Sequence, residues 1–165
     1  IEKSGFLLPE NILLLGKKLG VFSELGGIVL NVDLKHRRTN PVFVRADLDK
    51  FSKEWIEEQY KLKRFSTAEP GHIIMHEVGH WLAFLNNTNN ASNQKIWLNA
   101  DKNWIRKQVS RQAIKSEDGM EFVPEVFAGI VSGKKYDYYI MSLYERLGGP
   151  LPKGKNIENF VREVQ

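Results

Sequence analysis

Apolar residues that recur every three or four positions predict that most of this chain is helical. The strongest pattern covers about 67–85, where Ile73, Val78, Leu82 and Leu85 fall on one helix surface and Pro70 suits the first turn. Weaker patterns predict further helices, at about 11–20, 49–62, 101–114, 121–132, 138–147 and 157–164. The polar, Asn-rich stretch 86–94 predicts an exposed loop directly after the strongest helix.

Two β-branched runs interrupt the helical pattern near the start of the chain. They cover 28–34 and 41–45 and are separated by a polar stretch, which predicts a pair of strands.

The length of 165 residues suits one domain, and 42% hydrophobic with 27% charged residues are ordinary globular values. We therefore expect a single domain over 1–165. Because the chain starts at Ile1 rather than at Met, we expect it to be a piece of a longer polypeptide.

The net charge and the length of the apolar stretches indicate which kinds of partner the chain can bind. The net charge of +4 is spread over short, separate basic clusters such as 35–38, which are typical of solvated faces and argue against nucleic-acid binding. No apolar stretch is long enough for a membrane span and no signal peptide is visible, so no membrane partner is expected. The sequence contains no cysteine, so any metal site must use nitrogen and oxygen ligands.

The candidate chemistry lies inside the strongest predicted helix, in the run His76-Glu77-Val78-Gly79-His80. Residues four apart share a helix face, so His76 and His80 can hold one metal ion, with zinc the expected ion. Glu77 lies one step round the helix, where its carboxylate can act on a metal-bound water. Gly79 has no side chain and would let another backbone pack close to the site.

A catalytic zinc site needs a third protein ligand and an open position for water. All four histidines lie at or before position 80, so a carboxylate further along must supply that ligand. Glu125 is the favoured candidate, because Pro124 suits the first turn of a helix and the small Ala128 would let this helix lie close to the motif helix. Two alternatives stay open: Glu121, one turn earlier, and His72, one turn before His76.

These motifs resemble those of the zincin (gluzincin-like) metallopeptidases, and more narrowly the lethal-factor-type peptidase domains of bacterial toxins and phage-associated proteins. In that group His-Glu-x-Gly-His is followed, at a similar interval, by Glu-x-Phe-Ala on a later helix. The resemblance implies that His76, His80 and Glu125 bind one Zn²⁺ per chain and that Glu77 is the general base. It also implies a zincin-like α+β fold, mainly helical, with a small mixed β-sheet beside the HExxH helix and an edge strand that receives the substrate.

The chain departs from the resembled group at two positions. An acidic residue often follows the glutamate ligand by four positions there, whereas Gly129 stands four after Glu125. A tyrosine that stabilises the transition state precedes the ligand there, and none lies between 62 and 125 here. The candidates for that role are therefore Tyr136, Tyr138 and Tyr139, which follow the predicted helix.

The predicted function is a zinc-dependent endopeptidase that hydrolyses peptide bonds through a metal-activated water, with Glu77 as the base. Its partner would be a peptide or protein, and self-processing of a parent polypeptide is one alternative substrate. The rival hypothesis is a non-catalytic, zinc-stabilised interaction or structural module of a phage or mobile-element protein. Such a closed site would need a fourth protein ligand. The sequence leaves localisation open, with secretion or a phage or mobile-element association favoured over the cytoplasm.

Overall fold

The computed structural model describes residues 28–31, 42–45, 53–86 and 90–163. The elements in these ranges are β1 (Ile28–Asn31), β2 (Val42–Arg45), α1 (Lys53–Lys61), α2 (His72–Asn86), α3 (Asn90–Leu98), α4 (Lys102–Gln108), α5 (Phe122–Val131) and α6 (Tyr138–Arg146), with 3-10 helices at Gln112–Ile114 and Ile157–Phe160. None of these helices combines the length and the apolar character needed to cross a membrane. The predicted helix at 11–20 lies outside the described residues.

The expected small mixed β-sheet is wrong. The helical body, 53–86 with 90–163, contains no strand, and the segments β1 and β2 form only one antiparallel pair, with Ile28 opposite Arg45. A mixed sheet needs a parallel neighbour as well, and no third strand is present in the described ranges. The physical reason is that the apolar residues after position 52 recur at helical spacing. They therefore form helices and do not supply the alternating apolar face of a further strand.

The helix at the motif and the helix before the candidate glutamates differ from their predicted bounds. Helix α2 begins at His72 rather than near position 67, and the Thr67 hydroxyl instead lies 3.0 Å from His72 Nδ1. The predicted helix 101–114 is broken after Gln108, since the backbone N–H groups of Arg111 and Gln112 donate to carbonyls of the segment after α1. Tertiary hydrogen bonds therefore override the local helical pattern at this point.

The remaining predictions in this region had mixed outcomes. The loop predicted at 86–94 is wrong from Asn90 onwards, where α3 begins and leads to Trp97, a side chain only 1% exposed. One buried tryptophan can hold a polar helix against the core. The polar composition of 86–94 alone gives no sign of such an anchor. The helices predicted at 121–132 and 138–147 are confirmed as α5 and α6.

Helix α5 is the centre of the core and packs against α2. Every residue from Phe122 to Ile130 is buried. The core cluster also draws on the neighbouring elements through Val78, Leu82, Trp97, Ile105, Val109, Ile140, Met141, Leu143 and Tyr144. The close contact of α2 with α5 sets the motif histidines against the residues at the start of α5, and so it fixes the geometry of the site.

The absence of a side chain at Gly79 is what permits this close contact. A Cβ atom added there would lie 2.9 Å from Pro124 Cα and 3.0 Å from Phe127 Cδ1. The first of these atoms belongs to the α5 backbone and cannot rotate away. The expectation that another backbone packs against Gly79 is confirmed.

We expect Gly79→Ala to destabilise the protein by about 1–2 kcal/mol, because overpacking costs more than the roughly 1 kcal/mol that Ala gains over Gly in a helix. Urea unfolding would measure the change. Gly71→Ala is the matched control, since a Cβ there meets nothing within 4 Å, and it should change stability by no more than about 0.5 kcal/mol. A Gly79→Ala variant as stable as the wild type would contradict the close contact.

Candidate metal centre

His76 and His80 extend from the same face of α2 towards the first residue of α5, with their ring centres 4.8 Å apart. Glu121 occupies the N-cap position of α5, but its side chain makes no capping hydrogen bond. Instead, Glu121 Oε2 lies 3.1 Å from His76 Nε2 and Glu121 Oε1 lies 3.4 Å from His80 Nε2. Two imidazoles and one carboxylate therefore converge on one point.

This group fits a zinc ion. Histidine nitrogens and carboxylate oxygens bind zinc at about 2.0–2.2 Å, so the ligand atoms of a tetrahedral site lie roughly 3.3–3.5 Å apart. The observed separations of 3.1 and 3.4 Å are close to that spacing, and the ligand atoms of all three residues lie within 4.8 Å of one another. Nitrogen and oxygen donors are also the only ones that a chain without cysteine can offer.

Glu125, the favoured third ligand from the sequence, faces a different set of atoms. It is completely buried, and its Oε1 accepts from His76 Nδ1 at 2.7 Å and from His72 Nε2 at 3.0 Å. Its Oε2 accepts from the backbone N–H of Ser66 at 2.8 Å and from the Ser110 hydroxyl at 2.7 Å. Four donors thus occupy this carboxylate, which lies behind His76 and not beside Nε2 of His76 and His80.

The position of Glu125 gives it a clear role towards His76. A carboxylate only accepts, so the metal-free His76 ring donates from Nδ1 to Glu125 and from Nε2 to Glu121. If a metal ion replaces the Nε2 proton, Glu125 still holds the other proton on Nδ1 and leaves the Nε2 lone pair for the ion. Ligating histidines are usually oriented in this way by a carboxylate on their second nitrogen. The geometry therefore favours Glu121 as the ligand and Glu125 as the group that orients His76.

His72 belongs to the buried network and not to the exposed face of the site. With His76 and Glu125 it forms a second group whose ligand atoms lie within 4.8 Å. However, its Nδ1 is paired with the Thr67 hydroxyl and its ring stacks on Phe65 with centres 4.5 Å apart. Because the donors and acceptors of this second group are already satisfied by protein atoms, it serves as hydrogen-bonded support.

The electrostatics of the group favour a positive charge between the two glutamates. Burial alone would lower the pKa of His76, but hydrogen bonds to Glu121 and Glu125 outweigh it and raise the pKa to about 10. Burial alone would raise the pKa of both carboxyl groups, yet their hydrogen bonds with the histidines bring it below the usual range. Both glutamates are therefore charged at neutral pH, and a divalent cation can supply the positive charge that His76 carries in its absence.

Glu77 follows His76 in α2 and interacts electrostatically with His76, His80 and Glu121. Among the described residues it makes no hydrogen bond, and its pKa is raised above the usual value by burial and by the Glu121 charge, against the opposing effect of His76 and His80. A raised pKa makes a carboxylate a better proton acceptor near neutral pH. The three motif residues predicted from the sequence, His76, Glu77 and His80, are thus brought together as expected.

The three tyrosine candidates have different surroundings. The buried Tyr136 hydroxyl has no hydrogen-bond partner in the described part of the chain, and a Cβ added to Gly129 would lie 1.8 Å from it. Tyr138 is 61% exposed at the start of α6, while the Tyr139 hydroxyl accepts from the backbone N–H of Asp101. None of the three has a hydrogen bond to the motif histidines or to Glu121 within the described ranges, and their role as transition-state stabilisers stays a prediction.

Comparison with known proteins adds no relative to this picture. No family model, no curated protein and no solved structure matches the chain. The functional argument therefore depends on the residues of the site themselves.

Proposed function

We propose that this chain is a zinc-dependent endopeptidase in which His76, His80 and Glu121 hold the ion. The observation that carries the proposal is the convergence of two Nε2 atoms and one carboxylate at separations of 3.1 and 3.4 Å. Glu77, the residue after His76, makes no hydrogen bond among the described residues. The resemblance of the motif to that of the zincin metallopeptidases supplies the reaction class. This proposal replaces Glu125 with Glu121 as the third ligand.

Zinc bound there would lower the pKa of a coordinated water and polarise a substrate carbonyl. The remaining steps belong to the side chains of the protein. Glu77 accepts a proton from the attacking water and later delivers it to the leaving nitrogen. Glu125 keeps the His76 proton on Nδ1, so the imidazole stays oriented while charge develops at the reacting centre.

The exposure of the site supports a catalytic role over a structural one. The side chains of His80 and Glu121 are 21% and 22% exposed, whereas His76 behind them is 8% exposed. Within the described ranges no fourth histidine, aspartate or glutamate joins this group. A site with three ligands that opens to solvent on one side has room for a water and a substrate, which a closed structural site does not.

The decisive variant is Glu77→Gln, which keeps the size of the side chain but removes its basicity. We expect this variant to bind zinc and to keep its fold, while peptide cleavage falls by a factor on the order of 10² or more. Cleavage would be measured on a mixed peptide library and on any longer parent polypeptide. Glu145→Gln is the matched control, because Glu145 is exposed on α6 and should leave cleavage unchanged.

Two results would contradict the proposal. Equal cleavage by wild type and Glu77→Gln would place the catalytic centre elsewhere. If zinc-loaded wild type cleaves no peptide, the same ion and ligands would instead support the non-catalytic alternative, in which the metal joins α2 to the start of α5.

A further inference from the structure

Among the described residues, Gln112 is the one side chain outside the proposed ligand set that donates a hydrogen bond to the Glu121 carboxylate. Its Nε2 donates to Glu121 Oε2 at 2.6 Å, and this is the same oxygen that lies 3.1 Å from His76 Nε2. Neither the motif nor the proposed catalytic steps give this amide a role.

We infer that Gln112 is a positioning residue, whose amide holds the Glu121 carboxylate turned towards His76 and His80 and thereby sets the affinity of the site for its ion. The inference rests on the proposed metal centre. It adds to that proposal the group that orients Glu121, which is the least constrained of the three proposed ligands.

Glu121 needs such a group because nothing else in the described region fixes its side chain apart from the two histidines. It stands at the N-cap of α5 without a capping bond and is 22% exposed, so its three side-chain torsions are otherwise weakly restrained. Fixing a long glutamate side chain in one rotamer costs conformational entropy. A hydrogen bond present before the ion arrives removes part of that cost from binding.

An amide suits this role better than a cationic donor would. The glutamine Nε2–H group donates a hydrogen bond without bringing a positive charge, so Glu121 keeps its full negative charge for a metal ion. A lysine or arginine at the same distance would neutralise the carboxylate and repel a divalent cation.

The backbone of Gln112 is itself held by tertiary hydrogen bonds. Its N–H donates to Arg64 O at 3.0 Å, and the preceding Arg111 N–H donates to Lys63 O at 2.8 Å. Lys63 has a φ of 57°, in the left-handed region that residues with a side chain seldom adopt. The 3-10 helix that contains Gln112 also packs on α5. The amide therefore projects from an anchored segment, as a positioning group must.

The test measures zinc affinity by competition with a chromogenic chelator, using the full chain. We expect Gln112→Leu to raise the dissociation constant for zinc by about 10–100-fold, which is the usual effect of removing a group that orients a ligand. Gln112→Met keeps nearly the same side-chain length without a hydrogen-bond donor, so it should weaken binding by a similar factor. The matched control is Gln108→Leu, because the Gln108 side chain accepts its hydrogen bond from the exposed Arg162, and this variant should bind zinc as the wild type does. Unchanged affinity in both Gln112 variants would overturn the inference.

A double-mutant cycle distinguishes positioning through Glu121 from a general structural effect. In a Glu121→Ala background, Gln112→Leu should cause no further loss of affinity, since the carboxylate through which it acts is gone. The same fold-loss in both backgrounds would show that Gln112 acts elsewhere, and would also overturn the inference. A wild-type chain that binds no zinc would be a different result, because it refutes the proposed function and not only this step.

Discussion

Glu121→Ala is expected to lose zinc while keeping its fold. Structural zinc sites with four ligands bind with roughly 10–16 kcal/mol, or about 2.5–4 kcal/mol per ligand, so the loss of one ligand should weaken affinity by a factor on the order of 10²–10³. The fold should survive because Glu121 is partly exposed and lies outside the hydrophobic core.

Zinc content after dialysis against a weak chelator would measure this effect. Glu117→Ala is the matched control, since Glu117 is an exposed acid on the same connecting segment and should leave the zinc content at one ion per chain. If Glu121→Ala keeps its zinc, then Glu121 is not a ligand. If a Glu125 variant loses its zinc while Glu121→Ala keeps it, then Glu125 is the third ligand, as the sequence predicted.

The histidine half of the site was predictable because its geometry is local. His76, Glu77 and His80 lie within five residues of one helix, and the period of the α-helix alone brings the two imidazoles to one face. The close approach at Gly79 was also predictable, since a missing side chain inside an apolar helix needs a neighbour that uses the space.

The third ligand was harder to predict from the sequence, because Glu121 and Glu125 are one helical turn apart and point in similar directions. Which of them meets the histidines depends on how far α5 is displaced along its axis against α2, and this is a property of packing. A signal was nevertheless present in the sequence. In the resembled peptidases an acid often follows the ligand by four positions, and Glu125 follows Glu121 by four. With Glu121 as the ligand the departure at Gly129 disappears, but the Glu-x-Phe-Ala run of the resembled group then no longer begins at the ligand, because it fits Glu125.

The supporting residues carried no signal in the sequence. Ser66 and Ser110 donate to one carboxylate from segments that are 44 positions apart, and Gln112 reaches Glu121 only because the helix predicted at 101–114 is broken. That break depends on hydrogen bonds from Arg111 and Gln112 to the turn after α1. Contacts of this kind follow from tertiary structure, and no periodic pattern along the chain encodes them.

Replacement of Glu125 should have the largest effect on stability. Its carboxylate is fully buried and accepts four hydrogen bonds, and a Ser66 hydroxyl also donates to its backbone carbonyl. Glu125→Leu would leave the donors of Ser66, Ser110, His72 and His76 facing an apolar side chain. Removing one partner from a buried charged network costs roughly 3–5 kcal/mol, a large share of the 5–15 kcal/mol that stabilises a typical domain.

Urea unfolding of the metal-free proteins at low temperature would measure this loss without any contribution from zinc. Glu125→Gln provides the graded comparison, because its amide oxygen can still accept from one pair of donors while its NH₂ group must face the other pair. It should therefore fall between Glu125→Leu and the wild type. Glu121→Ala should stay within about 1 kcal/mol of the wild type in the same assay. If Glu125→Leu proves equally mild, the buried network does not hold the two helices together, and the account of how His76 is oriented would have to be abandoned.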